Sequence, residues 1–333
     1  MEQRKIGERQ VGAIGLGCMN LSHAYGHPPA KEDAVRLLHR AYDIGVRHFD
    51  TAALYGFGSN EKLVGEALKD RRNDIHLASK CVLTGVDGKR VLDGRPESLL
   101  KTIDQALQNL QTDHIDLYYL HRRDKSVPIE ESMGAMAQMV EQGKIGTIGL
   151  SEVSAETFFR ATSVHPVTAV QTEYSLWSRN AEIAVLDACR ERGAAFVAFS
   201  PLGRGFLAGG VGGAETMAEK DIRRGMPRFQ EPHYSANQRL FQAFSELASE
   251  AGCTPGQLAL SWLLQQGEHI IPIPGTRSIA HLEENLRAAE IEISTAIISR
   301  AGELINRDSV SGERYPPGTQ LEIDTEEFQD LAR

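Results

Sequence analysis

Several features that define other classes of protein are scarce in this sequence. Its 333 residues include four cysteines, which are far apart and form no Cys-x-x-Cys pair. This argues against a metal site or a disulfide framework and favours a reducing compartment. No stretch approaches the ~20 apolar residues that a membrane span needs, and the charged amino terminus lacks the apolar segment of a signal peptide. We therefore expect a soluble, cytoplasmic protein without a metal.

Positive charge is also in deficit. Lysine and arginine number 36 against 45 aspartates and glutamates, which gives a formal net charge of −9 at pH 7. Proteins that bind nucleic acid usually carry a basic face, so this balance argues against such a partner. The 41% of hydrophobic residues is enough for a full core, and no pattern in the sequence indicates an oligomeric state.

Short apolar segments alternate with amphipathic segments over most of the chain. Eight apolar segments end in polar or small residues, as strands buried on both faces of a parallel sheet do. Between them, apolar residues recur every three or four positions, and several of these stretches close on glycine, which is typical of helix ends. The predicted strands are residues 11–17, 46–52, 75–80, 115–121, 145–151, 168–174, 194–200 and 269–275.

Eight βα units most economically close into an α/β fold of the (β/α)8 or TIM-barrel type. We expect residues 1–333 to form one such domain, with long loops after the third strand (81–95) and the seventh (204–235). An extra helix is predicted near 291–307, followed by a polar tail at 308–333.

An open doubly wound sheet is the main alternative to the barrel. That fold places a third glycine in the turn after its first strand. Here Gly15-Leu16-Gly17 is followed by Cys18 and Met19, so the glycine pattern is incomplete and the barrel is preferred.

Four titratable side chains come at the ends of predicted strands. Asp50 and Tyr55 follow the second strand, Lys80 ends the third and His121 ends the fourth. The carboxyl ends of barrel strands meet at one face, where the active sites of such barrels lie. Each residue alone has an ordinary structural explanation, but four groups converging on one rim favour a catalytic site.

These side-chain types suit the reduction of a carbonyl by hydride. The developing alkoxide needs a proton, and a tyrosine with an ordinary pKa near 10 is a better donor beside a lysine, whose charge favours the phenolate. A carboxylate would hold the lysine charged, and an imidazole would orient and polarise the carbonyl oxygen. We predict Tyr55 as the general acid, supported by Lys80 and Asp50, with His121 at the carbonyl.

Three segments resemble the signatures of the aldo–keto reductases: FDTAALYG (49–56), LASK (77–80) and LYYLHR (117–122). The similarity extends from GLGCM near residue 15 to HLEEN near residue 285. It is nearest to a bacterial and plant branch that reduces aldehydes, pyridoxal and alkaloid carbonyls with NADPH. The resemblance implies that the four titratable residues form the catalytic tetrad of that family.

The cofactor would lie along the ends of several strands. Barrel phosphate sites form after strands seven and eight, and helix amino termini attract anions. Arg277 would contact a 2′-phosphate, and the resemblance places His281 nearby, so NADPH is favoured over NADH. The predicted cofactor residues are Gly17, Cys18, Met19, Asp50, Ser151, Gln171, Tyr174, Ser200, Pro201, Leu202, Gly203, Gly205, Gly275, Thr276, Arg277, His281, Glu284 and Asn285.

The resemblance also assigns the nicotinamide end of the cofactor. Gln171 and Ser151 would hydrogen-bond its carboxamide, and Tyr174 would stack on its ring. The family commonly has asparagine after that serine, whereas this chain has Glu152, which cannot donate as an amide does. Apolar and aromatic loop tips would form the substrate mouth. The predicted substrate residues are His23, Tyr25, Phe57, Leu83, His121 and Trp177.

Two other functions are compatible with these residues. Potassium-channel β subunits resemble the same family and keep the tetrad, so a regulatory NADP-binding subunit is one alternative. A barrel isomerase or aldolase with Lys80 as a Schiff-base lysine is the other. The identity of the small carbonyl substrate is left open by the sequence.

Overall fold

Eight parallel strands form the wall of a barrel in the computed structural model, which describes residues 2–22 and 24–328. They lie side by side in the order β3, β4, β5, β8, β9, β10, β11, β12, and the amide of Gly15 donates to the carbonyl of Pro272 (3.0 Å) to join the two edges. In chain order the strands are β1 Gln3–Ile6, β2 Arg9–Gly12, β3 Leu16–Gly17, β4 His48–Asp50, β5 His76–Cys81, β6 Leu83–Val86, β7 Lys89–Leu92, β8 Ile115–Leu120, β9 Ile145–Ser151, β10 Val167–Glu173, β11 Ala195–Phe199 and β12 Ile270–Pro272.

Amphipathic helices cover the outside of this barrel. In the first helix the buried residues Ala34, Leu37, Leu38 and Ala41 recur at the spacing of one helical face. Within the described residues, no helix is both long and apolar enough to cross a bilayer. The helices are α1 Lys31–Asp43, α2 Ser59–Leu68, α3 Pro96–Leu110, α4 Ile129–Glu141, α5 Ala155–Thr162, α6 Val185–Arg192, α7 His233–Glu250, α8 Pro255–Leu264, α9 Ile279–Arg287, α10 Thr295–Leu304 and α11 Pro317–Gln320.

The predicted alternation of strands and helices is confirmed, but the first strand is much shorter than its apolar segment. Only Leu16 and Gly17 join the barrel, whereas β2 pairs antiparallel with β1. Ile6 and Val11 of this hairpin are buried against the barrel interior, and Arg4 donates to the carbonyl of Ile270 at the start of β12. The hairpin therefore closes the amino-terminal end of the barrel.

The segments expected as loops contain more structure than the sequence indicated. The loop after β5 forms the antiparallel hairpin of β6 and β7, and the loop after β11 consists of 3-10 turns before α7 begins at His233. Helix α10 confirms the predicted extra helix. The polar tail includes α11, and the Lys125 ammonium donates to the carbonyls of Leu321 (3.0 Å) and Ile323 (3.0 Å). These bonds hold the tail against the segment between β8 and α4.

Side chains alternate along each strand, so every second residue points into the barrel. On β11, Ala195 and Val197 belong to the buried interior cluster and Phe199 packs against it. On β5, Ala78 lies inside the barrel and Lys80, two residues on, is fully buried. The last inward position of each strand therefore presents its side chain at the carboxyl end of the barrel.

Candidate active site

A cleft of about 1200 Å³ opens at the carboxyl ends of the barrel strands. Gly17, Asp50 and Ser151 contribute to its wall at the ends of β3, β4 and β9. Tyr55 and His121 line it from the segments just beyond β4 and β8. The rim predicted from the strand ends therefore exists as one concave site, and its residues come from strands that are far apart in the sequence.

Lys80 lies behind the cleft and connects two of the predicted catalytic residues. Its buried ammonium forms an ion pair with the Asp50 carboxylate. It also donates to the Thr51 carbonyl (2.8 Å) and to the Tyr55 hydroxyl (3.5 Å). Neighbouring strands bring the groups together, since Asp50 pairs with Ala78, two residues before the lysine.

His121 faces Tyr55 across the same part of the cleft. The backbone amide of His121 donates to the Cys81 carbonyl (3.2 Å), which holds the end of β8 beside β5. The two rings meet edge to face, with centroids 5.9 Å apart. The Nδ1 atom of His121 is buried and has no hydrogen-bond partner among the described residues. The phenol and the imidazole thus converge on one region of the cleft.

The protonation states of these groups follow from burial and from their neighbours. Burial raises the pKa of Tyr55, and the opposing charge of Lys80 offsets this only in part. Burial works to lower the pKa of Lys80, but Asp50 and Tyr55 outweigh it, so the pKa of the lysine is raised. Burial holds the pKa of His121 well below its usual value. Near neutral pH the site therefore contains a neutral phenol, a charged lysine and a neutral imidazole.

This corrects one step of the sequence argument. Lys80 was expected to bring the pKa of Tyr55 below its ordinary value. The lysine charge does act in that direction, but desolvation of the phenol is the larger effect and the net pKa is raised. Lys80 consequently supports a tyrosine that keeps its proton.

Three inward-pointing residues line the cleft beyond the tetrad. Gln171 donates from Nε2 to the Asp50 carboxylate (2.7 Å). The Ser151 hydroxyl is buried and has no hydrogen-bond partner among the described residues. Phe199 presents an aromatic ring to the cleft, where the sequence had predicted the ring of Tyr174. The sequence contains an indication of this position, because Phe199 stands two residues after the inward-pointing Val197 and directly before Ser200.

The loops after β11 and β12 form the far part of the cleft. Gly205 lines it with φ at +91°, a backbone conformation that favours glycine. A Cβ at Gly275 would lie 2.8 Å from the Asn20 amide oxygen, so that backbone is closely approached. The Arg277 guanidinium bonds the His27 carbonyl and has no carboxylate partner within the described residues. A helix start with an uncompensated cation fits the phosphates of a dinucleotide.

Most of the other predicted cofactor residues also line this cleft, whereas Cys18 and Gly203 do not. The lining members are Met19, Ser200, Pro201, Leu202, Thr276, His281, Glu284 and Asn285.

Glu152 is engaged with the carboxyl-terminal segment. It is fully buried, and its carboxylate accepts hydrogen bonds from the Glu173 amide (2.8 Å) and from Arg314 (3.0 Å). Arg314 also bonds the Glu173 carboxylate (3.2 Å), which accepts from Arg204 as well (2.6 Å). Burial opposes ionisation of Glu173, but the arginines outweigh it and lower its pKa to about 2. The position therefore anchors the tail, a role that its sequence neighbours do not reveal.

Comparison with known proteins agrees with this geometry. The Aldo/keto reductase family model matches residues 13–306, which is most of the chain and includes all four tetrad positions. The chain belongs to the aldo/keto reductase family. Membership supports an oxidoreductase activity for the protein.

Two curated relatives are similar to this chain over nearly all of its length. An NADP(+) aldo-keto reductase of Schizosaccharomyces pombe is 43% identical over 327 residues, with 96% of each chain covered. A probable aldo-keto reductase of Glycine max is 41% identical over 312 residues, covering 93% of this chain and 90% of the relative. Each match therefore covers more than nine-tenths of this chain.

Solved structures share the fold. A glycerol dehydrogenase from Gluconobacter oxydans superposes with a TM-score of 0.83 at 26% identity, over 95% of this chain and 98% of that one. An aldo-keto reductase from Bacillus halodurans in its holo form gives 0.76 at 26% identity, over 95% and 99% of the two chains. The (β/α)8 architecture predicted from the sequence is therefore confirmed.

Tyr174 lies away from the cleft, contrary to the sequence expectation. Tyr174 packs edge-on against Phe196 and Trp262, and its hydroxyl donates to Glu182 (2.8 Å). The reason is the period of β10: Gln171 points inward, so a side chain three residues later points outward.

The predicted substrate residues divide in the same way. Tyr25 and Leu83 line the cleft. Trp177 is buried in a stack on Phe206, with ring centroids 4.2 Å apart, and Phe57 stands half-exposed outside the cleft wall. His23 lies outside the described residues.

Proposed function

We propose that this oxidoreductase reduces aldehydes or ketones to alcohols with NADPH, and that Tyr55 donates the proton. The convergence of the Tyr55 hydroxyl and the His121 ring on one cleft, with the buried Lys80–Asp50 pair behind the phenol, carries this proposal. The family of the chain and the NADP(+) named for its yeast relative support the same reaction.

The residues of the cleft suit the cofactor at both of its ends. Ser151 offers a buried hydroxyl without a partner among the described residues, which suits the carboxamide of the nicotinamide. Arg277, at the start of α9, offers an uncompensated guanidinium for the 2′-phosphate. NADPH, when bound, supplies the hydride for the reaction.

The chain itself supplies the proton and holds the carbonyl. His121 is neutral and positioned to hydrogen-bond the carbonyl oxygen, which orients and polarises it. Tyr55 is protonated near neutral pH and delivers its proton to that oxygen as the alcohol forms. Lys80 stabilises the phenolate that remains, and Asp50 keeps the lysine charged.

The ion pair of Lys80 argues against the Schiff-base alternative. A Schiff-base lysine must present a neutral amine, whereas Asp50 raises the pKa of Lys80 despite its burial. The ammonium is also directed at the Thr51 carbonyl and the Tyr55 hydroxyl. We therefore expect no borohydride trapping of a carbonyl substrate on Lys80.

Turnover with a panel of carbonyl compounds tests the proposal. NADPH consumption is followed by absorbance with aromatic and aliphatic aldehydes, pyridoxal and ketones, and the alcohol is quantified against the NADP(+) formed. One alcohol per NADP(+) is expected. If NADPH binds but no carbonyl is reduced, the reductase proposal fails and a regulatory NADP-binding subunit replaces it.

A fluorescence titration tests the choice of cofactor. Wild-type protein should bind NADPH more tightly than NADH. Arg277→Ala should raise the Kd for NADPH about tenfold, as loss of a charge-assisted contact does, and should leave the Kd for NADH unchanged. Equal affinities for the two cofactors in the wild type would contradict the assignment of Arg277.

A further inference from the structure

Five arginines line the cleft within residues 2–22 and 24–328. Two of them, Arg122 and Arg277, have no carboxylate partner in that part of the chain, and each bonds only a backbone carbonyl. The other three are neutralised by ion pairs, which are Arg90–Glu322, Arg204–Glu173 and Arg223–Asp221. The cleft therefore presents two uncompensated guanidinium groups.

These two arginines lie at different ends of the cleft. Arg277 is two residues before the start of α9, in the loop assigned above to the cofactor phosphates. Arg122 directly follows His121 at the end of β8, beside the phenol and the imidazole of the tetrad. The cofactor accounts for the first positive charge and leaves the second without an anion.

The other charged groups around the tetrad are compensated or neutral, and Arg122 is not. Asp50 compensates Lys80, and burial keeps the His121 ring neutral. The positive charge of Arg122 acts on both His121 and Tyr55, where it favours the deprotonated form of each. Arg122 is thus the uncompensated cation nearest to the place where the carbonyl reacts.

We propose that Arg122 binds a carboxylate on the substrate, so that the preferred substrates are oxo acids, aldehydes or ketones that carry a carboxylate group. The Nη1 atom of Arg122 donates to the His121 carbonyl (2.7 Å), which fixes the guanidinium plane and leaves Nε and Nη2 as donors. A planar pair of donors matches the two oxygens of a carboxylate. The inference rests on the proposed reductase function and names its substrate class.

Matched pairs of substrates isolate the effect of the carboxylate. 4-Carboxybenzaldehyde is compared with methyl 4-formylbenzoate, which keeps the electron-withdrawing group but not the charge, and succinic semialdehyde is compared with butanal. The 2- and 3-carboxybenzaldehydes vary the position of the charge. We expect kcat/KM for at least one acid to exceed that of its neutral partner about tenfold to a hundredfold, mainly through KM.

Variants assign that preference to Arg122. Arg122→Met keeps the length of the side chain without its charge, and should abolish the preference, measured as the ratio of kcat/KM between each acid and its neutral partner. Arg122→Lys should retain part of it. Arg239→Met is the matched control, because it removes the same charge from an exposed position on α7 outside the cleft lining, and it should leave the preference unchanged.

A binding measurement provides a second readout. Calorimetric titration of 4-(hydroxymethyl)benzoate into the complex with NADP(+) should give a Kd that rises with salt in the wild type, because screening weakens charge pairs, and that is larger in Arg122→Met. Equal kcat/KM for every acid and its neutral partner, or a preference that survives in Arg122→Met, would overturn the inference. Failure to reduce any carbonyl would instead refute the reductase function itself.

Discussion

At the scale of single residues, the tetrad combines groups that burial alone would make neutral. Tyr55 and His121 follow that tendency, because the pKa of the phenol is raised and the pKa of the imidazole is lowered. Lys80 does not follow it, because Asp50 lies against the ammonium. The site therefore keeps one positive charge behind a protonated phenol. This suits a proton donor that becomes an anion when it gives up its proton.

These shifts predict a broad pH profile for reduction. The free protein should keep Tyr55 protonated until the pH exceeds 10 and His121 neutral down to pH values below 6.5, so kcat/KM should be nearly flat between about pH 6.5 and 9.5. Initial rates with a neutral aldehyde test this. A titration midpoint between pH 7 and 8.5, absent from the stability profile, would show that one of the two groups has a different pKa.

At the scale of elements, the period of a strand decides which predicted residues reach the cleft. Gln171 and Phe199 are the last or nearly last inward positions of β10 and β11, whereas Tyr174, directly after β10, packs in the other core cluster, outside the barrel interior. The sequence motif QTEYSL contains both a glutamine and an aromatic, and only the phase of the alternation separates them. Because alternate residues of a strand point inward, Phe199, two residues after Val197, is predicted to reach the cleft, and Tyr174 is not.

The carboxyl-terminal tail illustrates what the local sequence does not predict. Arg314 lies in a polar stretch, yet it is buried between Glu152 and Glu173. The partners are 162 and 141 residues away, so neither periodicity nor composition connects them. The unusual Glu152 was visible in the sequence, but its reason lies in this long-range ion pair.

Removing Arg314 should release the tail. Arg314→Met leaves Glu152 as a buried carboxylate whose one remaining partner among the described residues is the Glu173 amide, and breaking a buried pair in this way costs about 3–5 kcal/mol. We expect a lower free energy of unfolding in urea and faster proteolysis within residues 308–328.

The matched control is Arg300→Met, which breaks an exposed ion pair with Glu250. Water and salt screen both charges of an exposed pair, so this variant should unfold almost as the wild type does. If the two variants lose the same free energy of unfolding, the buried cluster does not anchor the tail.

At the scale of the whole molecule, the barrel was predictable because its strands are buried on both faces. Each of the eight apolar segments overlaps a barrel strand, and the helices alternate with them. The hairpins β1–β2 and β6–β7 were missed, since short strands that pair locally have no long apolar segment. The amino-terminal hairpin in particular has a polar sequence, in which Ile6 and Val11 are the large apolar residues.

Two histidines at the amino-terminal end of the barrel should make the free energy of unfolding depend on pH. His48 and His76 are buried and share a hydrogen bond between their Nδ1 atoms (2.9 Å), which requires at least one neutral ring. Burial lowers the pKa of both below 6.5. The unfolded chain therefore binds protons more readily than the folded one. The contribution of the two neutral histidines to the free energy of unfolding is complete above pH 6.5 and is lost as the pH falls below it.

The loss should approach about 1.4 kcal/mol per pH unit for each histidine. Urea unfolding at pH 7.5, 6.5 and 5.5 should show this slope in the wild type and a shallower one in the variant with His48→Gln and His76→Gln. His281→Gln, at an exposed position, serves as the control and should keep the wild-type slope. Parallel slopes in all three proteins would mean that the pair does not titrate as described.

The central claim is that Tyr55 donates the proton, and single-turnover reduction of an aldehyde by Tyr55→Phe tests it most directly. NADPH affinity is measured on the same sample by fluorescence titration. We predict unchanged NADPH affinity and a rate of hydride transfer lower by about 10²–10⁴-fold, the usual contribution of a positioned general acid. A variant that binds NADPH normally and reduces the aldehyde at the wild-type rate would contradict the account.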